Sequence, residues 1–240
     1  MGDFMDNIAL GILLPFFGTA FGSLIILIFK GKPNNFLRTI IQGFTAGVML
    51  AASIFSLLIP ALEYNANKNI SFISVILGLV VGIMGFLIID SILIKRKINS
   101  LNLAVTIHNI PEGFSVGVIY ALAIANPIMI REAFLLSLGI TIQNIPEGSI
   151  VSLNMIDKNN KGRAILSGIL SGIVEPICSV IAIILLSYIS PLMPFFLSLA
   201  GGVMIYVVID DLIPASNGRL GIIGFTIGFI IMMSLDVLLG

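Results

Sequence analysis

The chain has 240 residues, of which 58% are hydrophobic and only 10% charged, and its mean hydropathy is +1.15. This composition excludes an ordinary water-soluble domain. The formal charge is zero, from twelve basic and twelve acidic residues, and the single cysteine, Cys178, excludes an intramolecular disulfide framework.

Eight apolar segments follow one another along the chain, with only short connections between them. A helix needs about 20 apolar residues to cross the hydrocarbon core of a bilayer. In chain order the predicted helices are 8–29, 39–62, 70–94, 101–125, 133–156, 164–190, 195–215 and 220–239. We therefore predict an all-α polytopic membrane protein in which residues 1–240 form a single transmembrane domain.

The basic residues lie between these segments and never inside them. If the loop after the first helix is cytoplasmic, ten of the twelve Lys and Arg residues lie on the cytoplasmic side, and Lys68 and Arg131 lie on the other. Cytoplasmic loops carry an excess of Lys and Arg, so this distribution predicts that both termini are extracytoplasmic. We expect a multi-pass protein of the cell membrane.

Acidic residues, in contrast, do occur inside the segments. Asp90 and Asp236 lie near segment ends, where headgroups or water can reach them. Asp210 and Asp211 lie toward the inner end of the seventh segment, where we expect a solvated vestibule. These four acids are therefore predicted to be hydrated.

Three further acids, Glu112, Glu147 and Glu175, lie near the middle of their segments. An acid at the centre of a membrane helix costs roughly 2.5–3.5 kcal/mol on insertion scales, and no Lys or Arg within the segments offsets that cost. The missing cation is therefore predicted to be the substrate.

Two of these glutamates belong to a motif that occurs twice. The sequence Ile-His-Asn-Ile-Pro-Glu-Gly at 107–113 returns at 142–148 with glutamine in place of histidine. A second pattern, Ala-Gly followed by Leu-Ile-Pro-Ala, is shared by 46–61 and 200–215. Because the paired helices cross in opposite directions, we predict an inverted repeat of helices one to three and six to eight around a central helix 4/5 pair, which is typical of transporters.

The polar residues of each motif are predicted to face one volume. Residues four apart share a helix face, so His108 points the same way as Glu112, and Gln143 the same way as Glu147. Imidazole, carboxylate and amide groups form a mixed set that suits a first-row divalent ion. The single imidazole favours a transition metal without fixing which one.

The motif prolines, Pro111 and Pro146, are predicted to kink and widen their helices and to free one backbone carbonyl in each. Asn109 and Asn144 lie on the edge of the same face. Their amides either bind the metal or cap these carbonyls.

Two other segments carry candidate ligands. Glu175 is followed by Pro176, which repeats the combination of a midplane acid and a helix-breaking residue. Met49 lies among small residues of the second segment, where its thioether is either a soft metal ligand or a packing group.

At these residues the chain resembles the ZIP (Zrt/Irt-like) family of divalent metal transporters, especially its prokaryotic members, and the resemblance extends over the whole chain. It implies a binuclear metal centre on helices four, five and six, uptake toward the cytoplasm and a homodimer. It also implies that helices one, four, five and six move against two, three, seven and eight. The metal ligands that it implies are His108, Asn109, Glu112, Gln143, Asn144, Glu147, Glu175 and Met49.

One departure bears on metal selectivity. Many members of the family carry histidine where this chain has Gln143, and an amide is a weaker, neutral ligand. The resemblance makes zinc the first expectation, and this departure from a zinc-optimised site leaves cadmium, iron and manganese open.

These observations predict a transporter of divalent metal ions that is not an enzyme and uses no cofactor beyond the transported ion. Its partners are expected to be metal ions and the lipid bilayer, with no nucleic acid. A calcium/cation antiporter is the nearest alternative, because its inverted repeats also place acids in broken helices. An intramembrane metalloenzyme is disfavoured because the chain has one histidine and lacks His-Glu-x-x-His.

Overall fold

The computed structural model describes residues 2–28, 34–64, 68–95, 101–154, 161–186 and 192–239. Within these ranges the chain forms eight long helices and no strand, which confirms the predicted fold class. The helices are α1 (Gly2–Leu24), α2 (Asn35–Glu63), α3 (Lys68–Lys95), α4 (Leu101–Ala125), α5 (Ile130–Asn154), α6 (161–186), α7 (193–215) and α8 (Arg219–Leu239). Short 3-10 turns follow α1 at Ile25–Leu27 and precede α5 at Pro127–Met129.

Helices α2 and α7 each contain one wide π-helical turn. In α2 this turn covers Ser53–Leu58 and is followed by Pro60, and in α7 it covers Val208–Leu212 and is followed by Pro214. A proline cannot donate to the carbonyl four residues earlier, and the wider turn accommodates that loss. The two π turns occupy matching places in the predicted repeat, although the sequence analysis did not predict them.

Helix α6 is interrupted instead of widened. Its segments Lys161–Gly172 and Val174–Leu186 meet at a turn at Ile173, shortly before Pro176. The widening predicted at Pro111 and Pro146, however, is wrong, because α4 and α5 run through both positions as continuous α-helices. A proline removes one backbone hydrogen bond, and the remaining bonds keep these two helices intact.

The helices pack in pairs that follow the predicted repeat. The most extensive contacts join α2 to α8, α1 to α5, α3 to α7, and α4 to α6. In the predicted repeat, helix one corresponds to six, two to seven, three to eight, and four to five. The α1/α5 pair then corresponds to the α6/α4 pair, and the α2/α8 pair corresponds to the α7/α3 pair. The contacts therefore have the symmetry of an inverted repeat.

Glycines set the close approach within these pairs. Gly113 of α4 packs against the backbone of Glu175 in α6, and Gly148 of α5 packs against the backbone of Thr19 in α1. A β-carbon at either glycine would overlap the facing carbonyl oxygen. Small residues of this kind let membrane helices approach backbone to backbone. The motif glycines thus hold α6 and α1 against the two motif helices.

The pairs assemble into two groups. Helices α1, α4, α5 and α6 contact one another and form the motif bundle, and α2, α3, α7 and α8 form the flanking bundle. The two bundles meet where α2 contacts α5 and where α4 contacts α7. This division matches the grouping that the resemblance implied.

Large apolar side chains cover the outside of the helices. Phe21 of α1, Ile73 of α3 and Ile222 of α8 are each at least 60% exposed. In the described part of the chain, seven helices are long and apolar enough to cross a membrane, and α4 adds a shorter apolar stretch at Glu112–Ala125. An apolar exterior around a polar interior is the arrangement expected of a polytopic membrane protein.

Candidate metal site

The motif residues meet inside the motif bundle, where α4, α5 and α6 face one another. Glu112, Gln143 and Glu175 are fully buried, and Asn109 and Asn144 are each 1% exposed. These residues belong to three different segments of the sequence, and the fold brings four of them into one polar cluster: Glu112, Gln143, Asn144 and Glu175.

A short hydrogen bond joins the two motif helices. Gln143 Nε2 of α5 donates to Glu112 Oε1 of α4 over 2.6 Å. This bond fixes the orientation of the amide, because the other end of Gln143 must present its oxygen. The carboxylate keeps Oε2 and the amide keeps Oε1 for another partner.

Glu175 is held through both of its carboxylate oxygens. Thr19 Oγ1 of α1 donates to Glu175 Oε1 over 2.9 Å, and Asn144 Nδ2 of α5 donates to Glu175 Oε2 over 2.9 Å. Asn144 Nδ2 also lies 3.3 Å from the carbonyl oxygen of Pro15. Glu175 is therefore oriented by donors from two other helices.

Glu147 completes the acidic cluster. Its carboxylate is half-buried and lies close enough to Glu112 and Glu175 for electrostatic repulsion, and Glu112 and Glu175 also repel each other. Three acids in a low-dielectric interior are unfavourable unless a positive charge joins them. This electrostatic arrangement favours a bound cation.

No hydrogen-bond donor among the described residues reaches these buried oxygens of the cluster: Glu112 Oε2, Gln143 Oε1 and Asn144 Oδ1. Buried acceptors of this kind are costly when they are left unsatisfied. Carboxylate and amide oxygens are ligands for divalent cations, so the orphaned atoms fit an ion held between α4 and α5.

Carboxylates alone do not form a complete metal shell here. Among the described side chains, no three His, Cys, Asp or Glu groups converge closely enough to hold an ion by themselves. Beside the carboxylates, the described cluster offers the amide oxygens of Gln143 and Asn144 as further oxygen groups.

The structure places the remaining predicted ligands in different surroundings or does not describe their side chains. The side chain of His108 lies outside the described residues, although its backbone belongs to α4. Asn109 donates through Nδ2 to the carbonyl oxygen of Ser171 in α6 over 2.9 Å, which is not one of the carbonyls that the capping alternative concerned. Met49 is 2% exposed and packs in the hydrophobic core, so its role as a ligand stays a prediction.

Two of the peripheral acids accept hydrogen bonds from protein hydroxyls. Asp236 accepts hydrogen bonds from Ser56 Oγ at 2.8 and 2.9 Å, and Asp90 accepts one from Tyr206 at 3.2 Å. Asp210 and Asp211 are exposed. Their environments therefore differ from that of the buried glutamate cluster.

Sequence reasoning missed Thr19. It is 1% exposed, and its hydroxyl donates from α1 into the cluster. The available signal was a polar residue four positions after Pro15, within the otherwise apolar stretch 8–22 of α1. Because Thr can also bond to its own helix, this signal did not indicate a partner 156 residues away in sequence.

Together, the fold and the cluster define a multi-pass membrane protein whose helices enclose buried carboxylates. The sequence profile described as "ZIP Zinc transporter" matches residues 98–236, which is more than half of the chain. The chain belongs to the ZIP family. This family consists of transporters, in agreement with the expectation that the chain is not an enzyme.

Individual relatives match over shorter segments. The chain is 49% identical over 77 residues to zinc transporter ZIP11 of Xenopus tropicalis, covering 30% of this chain and 23% of that protein. It is 44% identical over 82 residues to ZIP11 of Homo sapiens, covering 32% and 24%. Identity to zinc transporter GufA of Myxococcus xanthus is 37% over 82 residues, covering 32% of each protein. The matches therefore span only about a quarter to a third of these relatives.

Proposed function

We propose that the protein transports divalent transition-metal ions, with zinc first and cadmium, iron or manganese as further candidates, through the buried cluster on α4, α5 and α6. The observation that carries this proposal is the set of orphaned oxygens on Glu112, Gln143 and Asn144 beside repelling carboxylates. The relatives named as zinc transporters support the choice of zinc.

The cluster suggests two neighbouring ion positions. Glu112 Oε2 and Gln143 Oε1 would contribute to the first, together with Glu147, His108 and Met49 as the resemblance implies. The second would use the Glu175 carboxylate with Asn144, and Glu112 and Glu147 would bridge the two positions. The Asn109 amide, which contacts Ser171, would have to turn to join the second position.

The proposal also includes the membrane topology, the direction of transport and the oligomeric state. We place both termini outside the cell membrane, with uptake toward the cytoplasm and a homodimer as the working assembly. Five of the ten basic residues on which the topology argument depends lie outside the described residues.

Transport can be tested with purified protein in liposomes. External zinc or cadmium is expected to reach a trapped fluorescent indicator faster than in protein-free vesicles, and competition among zinc, cadmium, iron and manganese would rank the substrates. Absence of flux for all four ions would contradict the proposal. Calcium flux that excludes zinc would favour the cation antiporter instead.

Replacing Gln143 with histidine is expected to shift selectivity toward zinc. Gln143 offers one neutral amide oxygen, whereas imidazole is a stronger ligand for zinc and a poor one for manganese. We expect the ratio of zinc to manganese affinity to rise roughly tenfold or more, as measured by competition in the liposome assay.

The matched control for this change is Gln42→His, because Gln42 is buried in α2, where it lines a pocket with Arg38 and Ala215 instead of with motif residues. An unchanged zinc-to-manganese ratio in Gln143→His would show that this position does not contact the ion.

A further inference from the structure

Thr19 of α1 occupies the place on its helix that Glu175 occupies on α6. Gly148 of the second motif packs on the backbone of Thr19, just as Gly113 of the first motif packs on the backbone of Glu175. The inverted repeat therefore relates the two residues, and one side carries a hydroxyl where the other carries an acid.

These two related residues also touch each other. Thr19 Oγ1 lies 2.9 Å from Glu175 Oε1, whereas the competing acceptor, the carbonyl oxygen of Pro15, lies 3.4 Å away. A hydroxyl has a single hydrogen, and the shorter contact to a carboxylate is the stronger one. The Thr19 hydroxyl therefore donates its hydrogen to Glu175.

Packing fixes the position of this hydroxyl. Thr19 is 1% exposed, and its β-carbon lies against Gly172 of α6. A side chain larger than hydrogen at Gly172 would crowd Thr19, so the glycine allows α1 to reach the acid. The packing of α1 against α6 therefore holds the Thr19 hydroxyl in place.

We propose that Thr19 is a positioning residue of the second metal position, where its hydroxyl orients the Glu175 carboxylate for the ion. This inference rests on the proposed function. Each carboxylate oxygen has two lone pairs, so Glu175 can accept from Thr19 and bind a metal at the same time. Hydrogen bonds to metal-ligating carboxylates typically contribute 10–100-fold to metal affinity.

Zinc binding to the detergent-purified full chain, measured by calorimetry, tests this role. Thr19→Val keeps the shape and removes the donor, and it is expected to weaken zinc binding at one of the two positions by roughly 10–100-fold. Thr19→Ser restores the hydroxyl and is expected to stay within about threefold of the unaltered protein. If Thr19→Val does not fold, Thr19→Ala removes the same donor and is expected to show the same loss.

A matched control and a coupled variant separate this role from packing. Thr141 lies in the same α1/α5 contact, but its hydroxyl donates to Ser137 O of its own helix at 2.6 Å, so Thr141→Val is expected to leave zinc binding unchanged. In a Glu175→Gln background, Thr19→Val is expected to add no further loss of affinity, because Thr19 acts through Glu175.

Three results would overturn the role of Thr19: full affinity in Thr19→Val, an equal loss in Thr141→Val, or additive losses in the double variant. If the unaltered protein binds no zinc, the failure lies in the proposed function itself. The two failures are therefore distinguishable.

Discussion

Glu112→Gln is expected to reduce metal flux by roughly a hundredfold or more, to the level of protein-free vesicles. The substitution keeps the shape and the side-chain oxygen that accepts from Gln143, so the contact between α4 and α5 survives. It removes the negative charge and replaces one carboxylate oxygen with an NH2 group that cannot bind a cation. Flux into liposomes under a zinc gradient measures the effect.

Glu63→Gln is the matched control, because it makes the same chemical change at an exposed carboxylate at the end of α2. It is expected to transport zinc at an unchanged rate. Flux in Glu112→Gln that equals flux in Glu63→Gln would mean that the Glu112 carboxylate does not lie on the ion path.

Gly113→Ala is expected to destabilise the protein and to impair transport together. The added β-carbon would overlap the backbone of Glu175, and a backbone carbonyl cannot rotate away as a side chain can. Overpacking costs of about 1–3 kcal/mol correspond to a fall in melting temperature of roughly 2–12 °C for a chain of this size. Thermal unfolding in detergent, followed by size-exclusion chromatography, measures the fall.

Gly85→Ala in α3 provides the control, since no atom lies within 4 Å of the added β-carbon. Alanine is also a better helix former than glycine, so the melting temperature is expected to stay the same or rise slightly. Equal melting temperatures for the two variants would contradict the close α4/α6 packing at Gly113.

Much of the fold could be predicted from the sequence because few kinds of backbone structure can span a bilayer. A membrane-spanning chain must satisfy its backbone hydrogen bonds internally, and so long apolar segments become helices. The duplicated motif also indicated that α4 and α5 meet, and the hydrogen bond between Gln143 and Glu112 joins them there.

The sequence did not predict whether a helix widens, breaks or continues at its proline. Pro60 and Pro214 follow π turns and Pro176 follows a break, yet α4 and α5 continue through Pro111 and Pro146. The same residue type thus has different outcomes, because neighbouring helices and not the proline alone determine how the lost hydrogen bond is accommodated.

The hydrogen-bond partners of individual polar groups could not be predicted from the sequence either. Asn109 and Asn144 occupy the same place in the two motif copies, but one donates to the Ser171 carbonyl and the other to the Glu175 carboxylate. The repeat predicts identical roles, whereas α6 and α1 present different groups to the two copies. That difference arises from packing between distant segments, as it does for Thr19.

The most direct test of the central claim is to locate a bound ion. Crystals of the protein grown with cadmium or zinc should give an anomalous difference peak within about 2.0–2.5 Å of Glu112 Oε2 and Gln143 Oε1, two oxygens that no described residue supplies with a donor. A peak at this place would support a substrate ion held between α4 and α5. Anomalous peaks confined to the exposed acids, with Glu112 and Gln143 unliganded at saturating metal, would contradict the account.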